Sequence, residues 1–266
     1  MNGTNHIFSN SSNTESAMDL TVIIPVYNEI ATVQEAVERV IAVPIDKEII
    51  IVDNCSTDGT RELVQTFERP DIKVILQERN MMKGNSVRRG IAAAQGDYVV
   101  IQDGDLEYDP QDFIRMIGVC RDPEVLAVLG SRIKGARERN ESLPASSYSV
   151  GREFINRVFR VLYSSNLTDV ATCYKMSARE TYQSLDLRRD SFDLDFEIAA
   201  KFQLLARRRG QRVAEVPIEY HPRSVDEGKK IRWQDGLHAI STLLACRFKE
   251  PVLKDDSAGP HDRQET

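Results

Sequence analysis

Cysteine, positive charge and long apolar runs are all scarce in this sequence of 266 residues. The four cysteines lie far apart and form no C-x-x-C pair, which argues against a disulfide framework or a thiolate zinc site and favours a reducing cytoplasm. Lys and Arg number 35 against 41 Asp and Glu, and the net charge of -6 argues against a nucleic-acid-binding protein that works by bulk electrostatics. No apolar run approaches the roughly 20 residues needed to cross a bilayer. We therefore expect a cytoplasmic protein that is soluble or lies at a membrane surface.

The distribution of polar and apolar residues predicts one large domain. Residues 1–18 are polar, rich in Asn and Ser and without periodicity, which predicts a disordered tail. The hydrophobic content of 41% is enough for a sizeable core, and we assign that core to residues 19–248. Residues 249–266 are expected to form a second disordered tail.

Short apolar runs alternate with helical patterns along the first hundred residues. The runs "LTVIIPVYN", "EIIIVDN" and "YVVIQDG" are dense in β-branched residues, and "KVILQE" is a shorter run of the same kind. Between them, residues 32–43 show helical spacing, "STDGTRELVQTF" opens a second helix, and a third helix is predicted to end at Gly96. This alternation predicts an α/β fold with a mainly parallel, twisted sheet flanked by helices, in which ligands bind beyond the carboxyl ends of the strands.

Polar side chains stand at the end of three predicted strands. They are Pro25, Tyr27, Asn28 and Glu29 after the first; Asp53, Asn54, Ser56 and Asp58 after the second; and Asp103, Asp105 and Glu107 after the last. Each cluster alone is also explained by residues that cap a helix or begin a turn. Their coincidence at one edge of the sheet favours a binding crevice.

The acidic cluster has the spacing of a cation site. Asp103 and Asp105 are two residues apart at the end of an extended segment, so their side chains leave on the same face roughly 6–7 Å apart, and Glu107 can fold back toward them. Hard oxygen ligands in one short loop suit Mg²⁺ or Mn²⁺. The alternative is a solvated acidic turn ahead of Asp109 and Pro110.

Several motifs in fixed order resemble a known family. "VIIPVYNE", "IVDNCSTDGT" and "DGDLEYDP" are similar to family 2 glycosyltransferases of the GT-A fold. The later stretches "LTDVATCYK", "FDLDFEIAAK" and "EVPIEYHPRSVDEGKKIRWQDG" resemble the dolichyl-phosphate mannosyl- and glucosyltransferases. The resemblance covers about residues 19–248. It implies a single GT-A domain that transfers a sugar from a GDP- or UDP-linked donor.

The resemblance also implies roles for individual residues. The nucleotide-sugar would be bound by Pro25, Tyr27, Asn28, Glu29, Asp53, Asn54, Ser56, Asp58, Lys83, Gly84, Asp103, Gly104, Arg223 and Lys229. Asp103, Asp105 and Glu107 would hold Mg²⁺ or Mn²⁺, and the catalytic set would be Asp103, Asp105, Arg132 and Asp169. Three positions depart from the family pattern. Members of the family often have an acidic residue where this chain has Asn54, Gly where it has Met82 and Gln where it has Glu107.

The second half of the chain is expected to bind the acceptor. In "SVGREFINRVFRVLYSSNLTDV" one apolar helical stripe is flanked by Arg152, Arg157 and Arg160; the stripe comprises Phe154, Val158, Val161 and Leu162. This is typical either of an ordinary core-facing helix or of a surface that receives a lipid phosphate. A polyprenyl phosphate is already ionised near pH 7 and needs no strong base, and Arg132, Arg152 and Thr172 are candidates for holding it.

Two alternatives remain open at this point. A soluble transferase with a saccharide acceptor would need a base, supplied by Asp169, Asp195 or Glu197, although residues 193–197 also match a strand-like segment or an acidic helix N-terminus. A non-catalytic nucleotide-sugar-binding protein is the other alternative, against which the intact Asp103-x-Asp105 argues. The expected partners are therefore a nucleotide-sugar, a lipid-phosphate or saccharide acceptor, and a peripheral membrane contact or membrane-protein partner, with no nucleic acid.

A basic loop precedes the last predicted helix, which begins near Trp233. We expect Arg223 and Lys229 in this loop to close over the phosphates of a bound donor.

Overall fold

A computed structural model describes residues 18–141, 147–222 and 233–257, without the side chains of residues 147–150, 233–235 and 256–257. The strands are β1 (Leu20–Val26), β2 (Lys47–Asp53), β3 (Ile72–Leu76), β4 (Tyr98–Ile101), β5 (Val125–Ser131), β6 (Lys175–Ala178) and β7 (Arg212–Pro217). The helices are α1 (Val33–Ile41), α2 (Thr60–Val64), α3 (Met82–Ala93), α4 (Asp112–Cys120), α5 (Arg132–Glu138), α6 (Ser147–Tyr163), α7 (Arg179–Ser184), α8 (Leu194–Arg209), α9 (Trp233–Phe248) and a 3₁₀ turn at Lys254–Ser257.

The strands form one sheet in the order β3-β2-β1-β4-β6-β5-β7. β6 is antiparallel to both of its neighbours, and the other pairings are parallel. The predicted mainly parallel sheet is therefore confirmed. Val26 pairs with Asp53 at the ends of β1 and β2, so the polar segments that follow these strands leave the sheet at the same edge.

Alternate residues of the central strands pack on opposite faces of the sheet. On β1, Val22 and Ile24 belong to a core with helices α1 and α4, whereas Ile23 belongs to a core with α3, α6, α8 and α9. Both faces are covered, as expected for β-branched runs in a parallel sheet.

Several predicted boundaries shift. α3 ends at Ala93, and Gly96 lies instead against the backbone of Leu20, where a Cβ would come within 2.6 Å of a carbonyl carbon. The strand-like alternative for residues 193–197 is wrong, because α8 begins at Leu194.

The segment after α9 continues to contact the domain. Val252 is buried, and Leu253 forms a β-bridge with Leu185. Among the described residues, no helix combines the length and apolarity needed to cross a membrane.

Candidate active site

The loops after β1 and β2 are joined by side chains that the sequence singled out. The backbone N–H of Asn28 donates to Ser56 Oγ over 3.0 Å, and Asn28 Oδ1 accepts from the Thr57 N–H over 2.8 Å. Asp58 accepts from the Ile30 N–H over 3.1 Å, and hydrogen bonds from Thr60 and Ile30 outweigh its burial, so that its pKa is lowered. Asn28, Ser56 and Asp58 therefore shape the crevice wall.

Asp53 organises its own loop. Its carboxylate is fully buried, accepts from the N–H groups of Cys55 and Ser56, and pairs with Arg61 over 3.0 Å. Asn54 is also buried and accepts from the Met81 N–H over 2.7 Å. In this structure Asp53 connects the β2 loop to Arg61, and Asn54 connects it to Met81. Arg61 gave no signal in the sequence.

The loop after β4 is joined to the loop after β1 through Thr32. Thr32 Oγ1 donates to the Gly104 carbonyl over 2.9 Å and to Glu29 Oε2 over 3.2 Å. A Cβ at Gly104 would lie 2.9 Å from the side chain of Val26, so a larger residue would push the loops apart. Tyr27 lies beside Glu29 in the chain and is partly exposed at the crevice edge, directly after β1.

Backbone conformations that favour glycine occur in the loops after β1 and β2 and at the start of α3. Asn28, Cys55 and Met82 have φ values of 53°, 64° and 66°, within the left-handed region. Such conformations cost energy for residues with a Cβ and cluster at binding sites. The family preference for Gly at position 82 therefore has a direct conformational reason.

The three acidic residues of the β4 loop have different surroundings. Asp103 forms an ion pair with Lys83 over 2.7 Å. Asp105 is buried, and its Oδ1 accepts from the Glu107 N–H over 3.1 Å. Glu107 accepts from the Tyr220 hydroxyl over 3.2 Å. The predicted site is thus a turn built around Asp105, with Asp103 and Glu107 each bonded to a different part of the fold.

Lys83 lies at the centre of a buried charge network. Its Nζ contacts Asp103 and, over 3.2 Å, Asp195 at the start of α8; Asp195 in turn pairs with the buried Lys175 over 3.2 Å. Burial lowers the pKa of Lys83, but Asp103 and Asp195 outweigh it and the pKa is raised well above its usual value. Burial raises the pKa of Asp195, but Lys175 and Lys83 outweigh it and the pKa is lowered. The sequence offered no signal for Lys175, because only the fold brings β6 beside α8.

Gly84 lies at a close backbone contact. A Cβ there would come within 2.4 Å of the Arg189 carbonyl oxygen and 2.7 Å of the Asp190 carbonyl carbon. In this structure Gly84 lets the start of α3 pack against the segment that precedes α8.

A second charged cluster lies after β5. Arg132 donates from Nε and Nη2 to the two carboxylate oxygens of Asp169, both over 2.7 Å, and from its backbone N–H over 3.1 Å. Burial raises the pKa of Asp169, but Arg132 outweighs it and the pKa is lowered. Glu215 accepts from the N–H groups of Thr168 and Asp169 and fixes the loop that carries the carboxylate. Asp169 therefore positions the Arg132 guanidinium.

The other two predicted acceptor residues differ in burial. Arg152, on α6, is half-buried, and burial together with the charge of Arg132 lowers its pKa. Its Nε is buried and has no hydrogen-bond partner among the described residues. Thr172 is fully buried, and its hydroxyl accepts from the Tyr174 N–H over 3.2 Å. Thr172 thus supports the start of β6, whereas Arg152 adds a second cation close to Arg132.

Tyr220 connects the acidic loop to the Arg132 cluster. Its hydroxyl donates to Glu107, its ring lies 5.3 Å from that of Tyr108, and the Arg132 guanidinium lies 5.1 Å from its ring centroid. The sequence gave no signal for this role. Arg223 and Lys229, predicted to contact the phosphates, lie outside the described residues.

A model of the family described as glycosyl transferase family 2 matches residues 21–184. The chain belongs to glycosyl transferase family 2. The resemblance to family 2 glycosyltransferases seen in the sequence motifs is confirmed by this match.

Two of the curated relatives are named for lipid-phosphate substrates. A dolichol-phosphate mannosyltransferase of Pyrococcus furiosus is 26% identical over 80% of this chain and 59% of its own length. An undecaprenyl-phosphate mannosyltransferase of Micrococcus luteus is 27% identical over 80% of this chain and 87% of its own length. The low-salt glycan biosynthesis hexosyltransferase Agl6 of Haloferax volcanii is 23% identical over 88% of this chain, which spans 55% of that protein.

A solved glycosyl-transfer enzyme structure has the same fold. Glucosyl-3-phosphoglycerate synthase from Mycobacterium tuberculosis, crystallised with Mn²⁺, uridine diphosphate and glucosyl-3-phosphoglycerate, aligns with a TM-score of 0.62 at 19% identity. The alignment covers 86% of this chain and 80% of that one. The predicted GT-A fold is thereby confirmed.

Proposed function

We propose that this protein transfers a hexose from a nucleotide-sugar to the phosphate of a polyprenyl lipid of the dolichyl type. The dolichol-phosphate and undecaprenyl-phosphate mannosyltransferases among its relatives support the acceptor class. The two arginines near Asp169 support it independently, because guanidinium groups are well suited to bind phosphate.

The observation that carries the proposal is the state of the carboxylates available as a general base. Asp169 is bonded to Arg132, Asp195 to Lys83 and Lys175, and Glu197 to Lys201 over 2.8 Å. The adjacent cations outweigh burial and hold down the pKa of Asp169 and Asp195, which makes these two carboxylates poor proton acceptors. A saccharide hydroxyl needs a base, whereas a phosphate monoester is already ionised near pH 7. The ion pairing of these three carboxylates therefore favours a phosphate acceptor.

On the donor side, the carboxylates of the β4 loop fit a divalent cation. Asp103 and Asp105 offer hard oxygen ligands from one turn, the donor set that suits Mg²⁺ or Mn²⁺. When bound, such an ion would neutralise charge on the diphosphate leaving group. Lys83 adds a positive charge beside Asp103, and Tyr27, Glu29 and the β2 loop would enclose the nucleotide.

Acceptor choice tests this proposal. Purified protein with Mn²⁺ is incubated with GDP-mannose, UDP-glucose or UDP-N-acetylglucosamine and, separately, dolichyl phosphate, undecaprenyl phosphate, 3-phosphoglycerate or free saccharides. Mass spectrometry is expected to detect a glycosyl lipid phosphate with at least one donor. A glycosylated saccharide or phosphoglycerate, with no lipid product, would overturn the lipid acceptor.

A further inference from the structure

Two neighbouring helices expose large apolar side chains on one side of the molecule. Five of the nine large hydrophobic side chains that are exposed within the described ranges lie on α6 and α9. On α6, Phe154 and Val161 are 57% and 75% exposed; on α9, Leu237, Leu244 and Phe248 are 60%, 42% and 70% exposed. The α6 pair has i, i+7 spacing, and the α9 residues have i, i+7, i+11 spacing. Each set therefore lies along one side of its helix.

The exposed stripe on α6 differs from the one that packs in the core. Ile155, Phe159 and Tyr163 are buried, whereas Phe154 and Val161 of the predicted core-facing stripe are exposed. One side of α6 therefore packs in the core, and the adjacent side presents an apolar surface.

The stripes of α6 and α9 form one face. The helices lie side by side and run in the same direction, because Gly236 lies against Ile155 and the Tyr163 hydroxyl donates to the Leu243 carbonyl over 2.7 Å. The buried residues of both helices belong to the core cluster that also contains α8, and the exposed stripes lie on the other sides of the two helices. Between them lie the partly buried Val158, Leu162 and Ile240. We call this continuous surface the α6–α9 face.

Basic side chains border the α6–α9 face. At one end, Phe248 lies in a surface pocket whose other lining residues include Arg188, Arg208, Arg247 and Lys249, with Glu250 as its acidic member. The Arg247 guanidinium lies 5.6 Å from the Phe248 ring centroid. This local basic cluster contrasts with the net charge of -6 for the whole chain.

We infer that the α6–α9 face binds the surface of an anionic lipid bilayer. An exposed apolar stripe with cations at its border is the pattern by which amphipathic helices insert into the headgroup region while basic residues attract anionic lipid. This inference rests on the proposed function, since α6 also carries Arg152 of the acceptor cluster and docking would bring that cluster close to a lipid acceptor.

Vesicle binding tests the inference. The full chain is sedimented with vesicles of phosphatidylcholine alone or with 30% phosphatidylglycerol, at low and high salt. Two separate variants, Phe154→Ser with Val161→Ser and Leu244→Ser with Phe248→Ser, remove one stripe each. The control is Ile114→Ser, an exposed apolar side chain on α4, which packs on the opposite face of the sheet.

Binding is expected to need phosphatidylglycerol, to weaken at high salt and to fall about tenfold or more in each stripe variant, while Ile114→Ser binds like wild type. Equal binding by all variants would overturn the inference. So would a stable dimer in analytical ultracentrifugation that both stripe variants dissociate, since a second copy would then cover the face. Circular dichroism confirms that each variant is folded.

A separate readout distinguishes this inference from the proposed function. Transfer to a short-chain polyprenyl phosphate in detergent does not require a bilayer, so the stripe variants are expected to retain it while losing transfer to vesicle-embedded acceptor. Absence of any lipid product with wild type in both assays would refute the proposed function instead. Vesicle binding by wild type would still support the inference in that case.

Discussion

Asp105 differs from the exposed loop residue that its sequence context predicted. It is buried, and its carboxylate accepts a hydrogen bond from the Glu107 N–H. Asp105→Asn keeps an oxygen for that bond but removes the negative charge. We expect transfer to fall about 100- to 1000-fold with little change in the unfolding midpoint, as when a group that stabilises charge is removed.

Steady-state kinetics across a Mn²⁺ titration measure this effect. Asp109→Asn is the matched control, because Asp109 lies in the same loop and its hydrogen bond from the Gln111 N–H can also be accepted by Asn. Full turnover by Asp105→Asn, or a loss of similar size in the control, would contradict a metal role for Asp105.

Arg132 is the cation whose geometry is most closely fixed. Its two parallel hydrogen bonds to Asp169 need a planar guanidinium. Arg132→Lys keeps the charge but loses that fork, so the cation is no longer held in one orientation. We expect transfer to a phosphate acceptor to fall at least about tenfold, the range of a positioning defect, while donor binding is preserved.

Acceptor KM and calorimetric binding of the nucleoside diphosphate separate the two effects. Arg160→Lys is the control, since Arg160 is on α6 and pairs with the exposed Glu153. A matching loss of nucleotide affinity would place Arg132 on the donor side and refute the acceptor assignment.

At the scale of elements, α3 reaches the site through a contact that only glycine allows. A Cβ at Gly84 would overlap backbone atoms of Arg189 and Asp190, which cannot rotate away as a side chain can. Gly84→Ala is therefore expected to destabilise the fold by about 1–3 kcal/mol, in the range of overpacking.

Urea unfolding measures this change, and two helical glycines serve as controls. A Cβ at Gly118 on α4 or at Gly151 on α6 meets nothing within 4 Å. Their replacement by Ala is expected to stabilise the fold by up to about 1 kcal/mol, because Ala has the higher helix propensity. A stabilising Gly84→Ala would show that α3 can move without cost.

The elements also show how far local sequence determines this fold. β1, β2 and β4 follow from their β-branched runs, because a fully buried parallel strand requires such residues, and the partly exposed edge strand β3 has a run of the same kind. β5 and β6 were not predicted, although β5 is entirely buried. β6 is four residues long and contains the buried polar residues Lys175 and Ser177, so neither its existence nor its antiparallel direction is written in its own composition.

At the scale of the whole molecule, the sheet brings together residues that are far apart in the sequence. The clusters after β1, β2 and β4 could be placed at one edge because parallel topology alone aligns strand ends. The contacts that hold Lys83, Arg132 and Glu107 could not, since their partners come from α8, the loop before β6 and the segment after β7. The sequence therefore named the carboxylates and the cations Lys83, Arg132 and Arg152, while the ion pairs between them, Lys175 and Tyr220 required the three-dimensional structure.

Asp side chains with lowered and with raised pKa values make opposite contributions to the pH dependence of the free energy of unfolding. Asp169 and Asp195 have lowered pKa values, so their ionised forms stabilise the fold at neutral pH. This stabilisation is lost as the pH falls through the folded pKa values, which lie below the ordinary 3.8. Asp112, in the first turn of α4, behaves in the opposite way. Burial raises its pKa from 3.8 to about 6, although its carboxylate accepts from the Glu219 N–H over 2.8 Å.

The raised pKa of Asp112 determines how its replacement changes stability as the pH rises. Between about pH 4 and pH 6 the folded protein binds this proton more tightly than the unfolded chain, so the stabilisation is fully present below pH 3.8 and is lost as the pH rises through about 6. Asp112→Asn keeps an acceptor for the Glu219 N–H and carries no charge at any pH. The variant should therefore gain stability relative to wild type as the pH rises from 5 to 7.5. Urea unfolding at pH 5, 6 and 7.5 measures the difference, with Glu138→Gln as a control whose exposed carboxylate pairs with Arg115 at the surface. A difference between Asp112→Asn and wild type that stays constant, or shrinks with rising pH, would show that Asp112 is ionised in the folded protein throughout this range.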